Sequence, residues 1–289
     1  MKRRAFLRQA AAAGMAAAAL AAGGQVRAAD GVAIELPKIK LGRLEVSRLI
    51  LGSNPFWGYS HTSPAADEQM RTWYTNEHIM AALDEAAVCG ITAVATPPTP
   101  RWIDLHKKYL DRGGKLRIWL AQPDGSAETM KQQITDSVKG GAGAVLVQGH
   151  VVEGQFEKGR FDVLRGWVDH TKSLGVPAGL AAHRSDVHVE LEKQGLATDF
   201  YFQCFYNLSH GEAFREEDRA KAVEAIGRIA KPVVAYKILA AGRNAPKEAF
   251  EYAFSHIGAK DGVCVGVFPR DKADQIREDA GWVIAKPRA

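Results

Sequence analysis

Residues 117–150 read RIWLAQPDGSAETMKQQITDSVKGGAGAVLVQGH, and the fold turns on them. RIWLAQ (117–122) and AVLVQG (144–149) are short, nearly continuous apolar runs, the pattern of strands buried on both faces. The stretch between them is a helical pattern that closes on glycine, as helix C-termini tend to. Two strands joined through a helix must run parallel, because a parallel pair needs a crossover rather than a tight turn.

The same unit repeats outward in both directions. Strand-like runs occur at 48–54 (RLILGSN), 92–96 (TAVAT), 177–183 (PAGLAAH), 199–205 (DFYFQCF), 232–237 (PVVAYK) and 262–267 (GVCVGV). Helical patterns such as EHIMAALDEAAVCG, FDVLRGWVDHTKSLG and RAKAVEAIGRIA separate them. Eight βα units in one run predict an α/β fold, a parallel sheet closed into a (β/α)8 TIM barrel spanning residues 35–283 as one domain. An open doubly wound sheet is the alternative. It calls for a glycine-rich first turn, which LGSNPFWG is not. Ahead of the first core strand, two short alternating runs meet near Leu41-Gly42-Arg43 and predict a hairpin over residues 35–48 at the N-terminal end of the barrel. The longest insertion, PFWGYSHTSPAADEQMRTWYTN (55–76), follows the first barrel strand and is expected over the mouth.

The chain has 289 residues, 46% hydrophobic and 25% charged, a globular balance. Its net charge of +5 is local. Residues 1–28 hold Lys2, Arg3, Arg4, Arg8 and Arg27 and no acid; without those five of 38 basic residues, 33 face 33 acids. A neutral body carries no electrostatic footprint for nucleic acid. The opening MKRRAFLRQAAAAGMAAAALAAGGQVRAAD pairs a basic start with a short Ala-rich run and Val26-Arg27-Ala28, a small-x-small cleavage pattern. Residues 1–28 resemble a twin-arginine signal peptide, which implies the export machinery as a partner and a periplasmic mature chain. The run is too short for a stable membrane anchor of about 20 strongly apolar residues. Cys89, Cys204 and Cys264 each fall in an apolar stretch without a CxxC pattern, so they are expected to be buried and inert.

Barrel geometry sends strand ends to one mouth, where a small-molecule ligand is expected. The polar residues at those ends are Asn54, Thr96, Gln122, His150, His183, Gln203 and Tyr236, with Arg270 just beyond the last strand. Asn54, Thr96, Gln122 and His183 are expected to line a substrate pocket, with Thr96 and Gln122 at its floor. His150 is the candidate catalytic group, since a neutral imidazole can hydrogen-bond a carbonyl or hydroxyl. Strand alternation is taken to turn Gln203 inward and Cys204 outward. His61, His150 and His183 facing one cavity would suit a divalent ion, but no local motif such as HExxH supports a metal site and none is assigned. His78, His106, His170, His188 and His256 are expected on solvated helix faces. Lys237 is a conceivable Schiff-base lysine.

LGRLEVSRLILGS (41–53), QCFYNLSH (203–210), VVAYKILAAG (233–242) and the closing AFEYAFSHIGAKDGVCVGVFPRDKADQIRED (249–279) resemble, in order and spacing, the aldo/keto reductase family. That resemblance implies a carbonyl or sugar substrate and NADP as cofactor. It implies nicotinamide contacts from Gln203 and Tyr236, a phosphate contact from Arg270 at the opening of the final helix, and a substrate-orienting His150. It also exposes what is missing. Where the family places a catalytic Asp, a Tyr and a Lys, this chain has Ala95, the prolines of Pro97-Pro98-Thr99-Pro100, and Gln122. A tyrosine from the long insertion, Tyr59 or Tyr74, is the alternative proton donor. Ala181-Ala182 stands for a Ser-Asn pair and Asp279 for an Asn, which weakens the cofactor site. Two readings therefore stay open beside a divergent reductase: a non-redox isomerase, lyase or hydrolase, and a small-molecule binder without turnover.

Overall fold

The computed structural model describes residues 35–206 and 215–284; residues 1–28, with the expected signal peptide, lie outside them. A two-stranded antiparallel hairpin, β1 (Lys38–Leu41) and β2 (Leu44–Ser47), precedes β3 (Leu49–Gly52), β4 (Ala93–Thr96), β5 (Ile118–Ala121), β6 (Ala144–Val147), β7 (Ala178–Ala182), β8 (Phe200–Cys204), β9 (Val233–Tyr236) and β10 (Gly262–Gly266). These last eight are all parallel and close as a barrel, β10 pairing with both β9 and β3. Every strand run expected from the sequence contains one of them.

Ten α-helices lie among the described residues. They are α1 (Pro64–Trp73), α2 (Asn76–Val88), α3 (Pro100–Asp111), α4 (Met130–Lys139), α5 (Gly149–Phe156), α6 (Phe161–Ser173), α7 (Ser185–Lys193), α8 (Glu216–Gly227), α9 (Pro246–His256) and α10 (Gln275–Ile284). Local chemistry sets their starts. Thr99 accepts a hydrogen bond from the Trp102 amide and Pro100 occupies the first turn of α3. Ser63 and Pro64 do the same for α1. The prolines of residues 97–100 thus carry the chain stiffly from β4 into a helix, where a reactive turn would need room.

Strand alternation divides the core into two layers. Ile50, Ala93, Leu120, Leu146, Phe200 and Val234 fill the barrel, joined from below by Ile39, Leu41 and Val46 of the hairpin. Val94, Trp119, Val145 and Tyr201 face outward against helix residues such as Leu83, Trp102 and Trp167. Small residues make room for large ones inside. At Gly179 a Cβ would lie 2.4 Å from the Phe200 ring, so that ring occupies space any other residue would claim. The hairpin turn sits at the N-terminal end of the barrel. Gly42 (φ 59°) has the side chains of Pro177 and Asp199, just ahead of β7 and β8, about its Cα, and a bulkier residue there would be strained in backbone and in space.

Candidate functional site

The β-strand C-termini and the loops beyond them enclose a cavity of about 680 Å³, a volume suited to a small organic ligand. Asn54, Gln122, His150, His183 and Tyr236 line it, as do Ala95 and Pro97. The insertion after β3 contributes Tyr59, Ser60, His61, Thr62 and Met70. Much of the remaining wall is apolar, including Phe202, Val267 and Phe268.

Three expected residues are placed differently. Thr96 is fully buried and absent from the cavity wall; its hydroxyl accepts from Trp57 Nε1 at 3.1 Å and its carbonyl from Trp119 Nε1 at 3.1 Å. Parity explains this, because Ala93 and Ala95 take the inward positions of β4. Gln203 is also off the cavity. In β8 the inward residues are Phe200 and Phe202, so Gln203 shares the outward side with Tyr201, and its amide donates to the Cys204 carbonyl at 3.1 Å. The expected sidedness of Gln203 and Cys204 is therefore reversed. Arg270 lies in the turn ahead of α10 rather than at its first residue. It pairs with Asp271 at 2.8 Å, donates to Gln69 and stacks on Phe268. His106 and His188 are buried, not solvated; His188 Nε2 donates to the Phe202 carbonyl, 2.9 Å away. Of the alternative donors, Tyr74 is buried with its hydroxyl on the Val267 carbonyl, whereas Tyr59 is an exposed residue of the mouth. The three cysteines are buried, and burial pushes each thiol up to about 12.

The most organised polar group of the site was not anticipated. Glu153, in the second turn of α5, is buried against the loop after β7. Its Oε1 accepts the amide N–H of His183 and of Arg184, each at 2.7 Å, and its Oε2 meets His183 Nδ1 at 3.1 Å. Burial alone would raise this carboxyl. The His183 hydrogen bond and charge, with the two amides, more than offset it and hold the group below the ordinary range. With Nδ1 bound to a carboxylate, Nε2 of His183 is the nitrogen left for a ligand. The ring edge meets the Tyr236 ring at 5.8 Å, and Tyr236 donates its hydroxyl to the Ala182 carbonyl. Burial, with Cys204 and Glu153 nearby, raises that phenol well above its usual range. Gly149 completes the arrangement, since a Cβ there would press on His183 Nδ1 at 3.0 Å.

Backbone strain gathers at the same mouth. Among the described residues, the non-glycine residues with left-handed φ are His61, Lys237, Ala240 and Ala241, and all but Ala240 line the cavity. Such conformations cost about 1–3 kcal/mol each and concentrate at functional sites. At Lys237 (φ 58°) the strand has ended, and the turn brings this residue to the wall beside Tyr236, where strict alternation would have sent it away.

The residues assigned to a nicotinamide dinucleotide are only partly assembled. Tyr236 reaches the cavity; Gln203 faces outward, Arg270 is engaged elsewhere, and Ala181 and Ala182 offer no polar side chain. Asp271, Lys272 and Glu278 stand on the α10 side of the wall, with Lys272 paired to Glu278 at 2.6 Å. Of the nicotinamide and phosphate contacts that the resemblance implies, Tyr236 is the one found at the cavity among the described residues. His61, His150 and His183 share the cavity, but among the described residues no three His, Cys, Asp or Glu side chains are grouped to hold a metal ion.

No protein-family model matches the chain, and no curated protein matches it in sequence. Solved structures do. Two from Pseudomonas aeruginosa, each named only provisionally as an aldo-keto reductase, superpose with TM-scores of 0.58 and 0.57 at 19% identity. They cover 85% and 86% of this chain and 96% and 94% of their own. The closed eight-stranded barrel, its hairpin and these likenesses give the chain an aldo/keto reductase-like (β/α)8 fold.

Proposed function

We propose that the cavity is the active site of a non-redox enzyme, one that moves a proton on a small polar carbonyl or hydroxy compound, as isomerases and lyases do. The Glu153–His183 pair carries this reading. A carboxylate that fixes one ring nitrogen sets the tautomer and orients the imidazole, leaving Nε2 to take a proton from a bound ligand and return it. Asn54, Gln122 and His150 are placed to hydrogen-bond a carbonyl or hydroxyl, and the apolar wall excludes water from the reacting centre. The stiff proline passage after β4 and the alanine at position 95 leave no proton donor on that side, so the acid–base work falls to the opposite wall.

A nicotinamide-dependent reductase is the second reading. It rests on the barrel likeness and on His150 and Tyr236 at the mouth; fold alone does not fix chemistry. One experiment separates the two. The mature protein is incubated in D2O with a panel of small aldoses, ketoses and hydroxy acids, with and without NADPH. Deuterium entering carbon without NADPH consumption supports proton transfer. NADPH oxidation coupled to alcohol formation supports the reductase and rejects the first reading.

A further inference from the structure

Two imidazoles stand at the cavity wall with opposite hydrogen-bonding character. Glu153 fixes His183 through Nδ1 and leaves Nε2 as the accepting nitrogen. At His61 the arrangement is the other way round. Asn54 Nδ2 lies 3.2 Å from His61 Nε2. An amide nitrogen can only donate, so Nε2 accepts and the proton of the neutral ring sits on Nδ1. Neutrality at pH 7 follows from the surroundings. Burial first, then the charges of Lys237, His183 and Arg243, outweigh Asp67 and bring His61 down to about 4. Among the described residues Asn54 is the ring's one hydrogen-bond partner, so Nδ1–H is left for a ligand. The backbone keeps the ring there. His61 has a left-handed φ of 56°, a conformation that persists where its surroundings fix it. The Ser60 amide donates to Asp67 at 2.8 Å, the Thr62 amide to the Ser60 hydroxyl at 3.1 Å, and Arg243 to the His61 carbonyl at 3.4 Å.

We infer that the substrate is an α-hydroxy carbonyl compound, its carbonyl oxygen accepting the His61 Nδ1–H and its carbinol carbon presented to His183 Nε2. This rests on the reading of the cavity as the site of a proton-moving enzyme, and it names the substrate class and the electrophile. The two rings share one region of the cavity, since the charge of His183 bears on His61. The chemistry uses both. His183 takes the proton from the carbon that bears the hydroxyl, and the C–H electron pair becomes the C=C bond of an enediolate. The carbonyl π pair moves onto its oxygen, where Nδ1–H meets the developing charge. The hydroxyl proton crosses to that oxygen by way of Nδ1, and His183 returns its proton to the former carbonyl carbon. Carbonyl and hydroxyl have changed places, and no oxidant, reductant or water is consumed. A ketone without the hydroxyl cannot form the enediolate, and a hydroxy acid presents a carboxylate, which resists enolisation.

The first test is heteronuclear NMR of the His61 ring nitrogens in the unmutated mature protein at pH 7. Nδ1 should carry the proton and Nε2 should be bare. A ring protonated on Nε2, or on both nitrogens, overturns the inference whatever the turnover. The second is deuterium exchange in D2O without NADPH, with dihydroxyacetone, glyceraldehyde and acetoin set against acetone and lactate. The hydroxy carbonyls should take up deuterium at carbon and the other two should not; equal exchange of acetone or lactate overturns the substrate class. His61→Gly, which suits the left-handed backbone, removes the donor. It should slow exchange by about 10²–10³-fold with KM little changed. His61→Asn, which also tolerates that backbone and restores an N–H near the place of Nδ1, should recover part of the rate. Undiminished exchange in well-folded His61→Gly overturns this inference and leaves the Glu153–His183 reading standing. Loss in His61→Gly with none in Glu153→Gln rejects that pair and keeps His61 as the donor. No exchange from any hydroxy carbonyl overturns both.

Discussion

Glu153 and Asp279 are two buried carboxyls with opposite surroundings, and their pH dependence should be opposite. Glu153 is held below the ordinary glutamate range by hydrogen bonds. Its contribution to stability is present above about pH 4.5 and is lost as pH falls through its lowered folded value. Glu153→Gln should therefore destabilise the protein by about 1–3 kcal/mol at pH 7, the gap narrowing toward pH 3 in urea melts. Asp279 is 1% exposed and neither oxygen has a partner among the described residues. Burial, and then Glu278, raise its carboxyl to about 8. A raised acid costs nothing below its unfolded value near 4, and the penalty grows as pH climbs from there toward 8. Asp279→Asn should stabilise by about 1–3 kcal/mol at pH 8 and by little at pH 4; an equal effect at both would show that the carboxyl is not neutral in the fold. At this scale the sequence was readable where a residue ends a strand. Asn54, Gln122, His150, His183 and Tyr236 reached the cavity because the ends converge. Thr96 and Gln203 did not, since a slip of one residue sends a strand side chain to the other face. Glu153 was overlooked because it lies inside a helix. The trace it leaves is a lone acid in the otherwise uncharged GHVVEGQF.

The α5 helix shows how an element builds the site. It starts directly after β6, so its first turns crowd the ends of β6 and β7, and Gly149 leaves room for the His183 ring. Alanine is a better helix former than glycine, so Gly149→Ala should change stability by less than about 1 kcal/mol. Its Cβ would nevertheless push the His183 ring from Glu153. The expected signature is a near-normal melting temperature with an altered His183 Nδ1 proton resonance; an unchanged resonance would show that the ring does not depend on this glycine. The hairpin and all eight barrel strands were legible because buried strands and glycine-ended helices punctuate the chain with a regular period. The direction of Lys237 was not legible from alternation, since its left-handed φ appears only once β9 has ended.

Across the whole molecule, the hairpin and the barrel are built from residues within 35–206 and 215–284, while residues 1–28 are read by pattern alone. If that segment is a twin-arginine signal, replacing Arg3 and Arg4 together by Lys should trap the precursor in the cytoplasm in a fractionation assay; unimpaired export would refute it. The barrel places a different constellation at its mouth from the one the resemblance implies: Ala95, Pro97 and Gln122 where a proton-relay set was expected, and Glu153–His183 across the cavity. The most direct measurement is the rate of substrate carbon–deuterium exchange in D2O for Glu153→Gln against the unmutated protein, each without NADPH. A loss of general acid–base catalysis should slow exchange by about 10²–10⁴-fold while the fold persists. Exchange within twofold of the unmutated protein, or turnover that appears only with NADPH, would contradict the assignment of Glu153 and His183 as the acid–base pair.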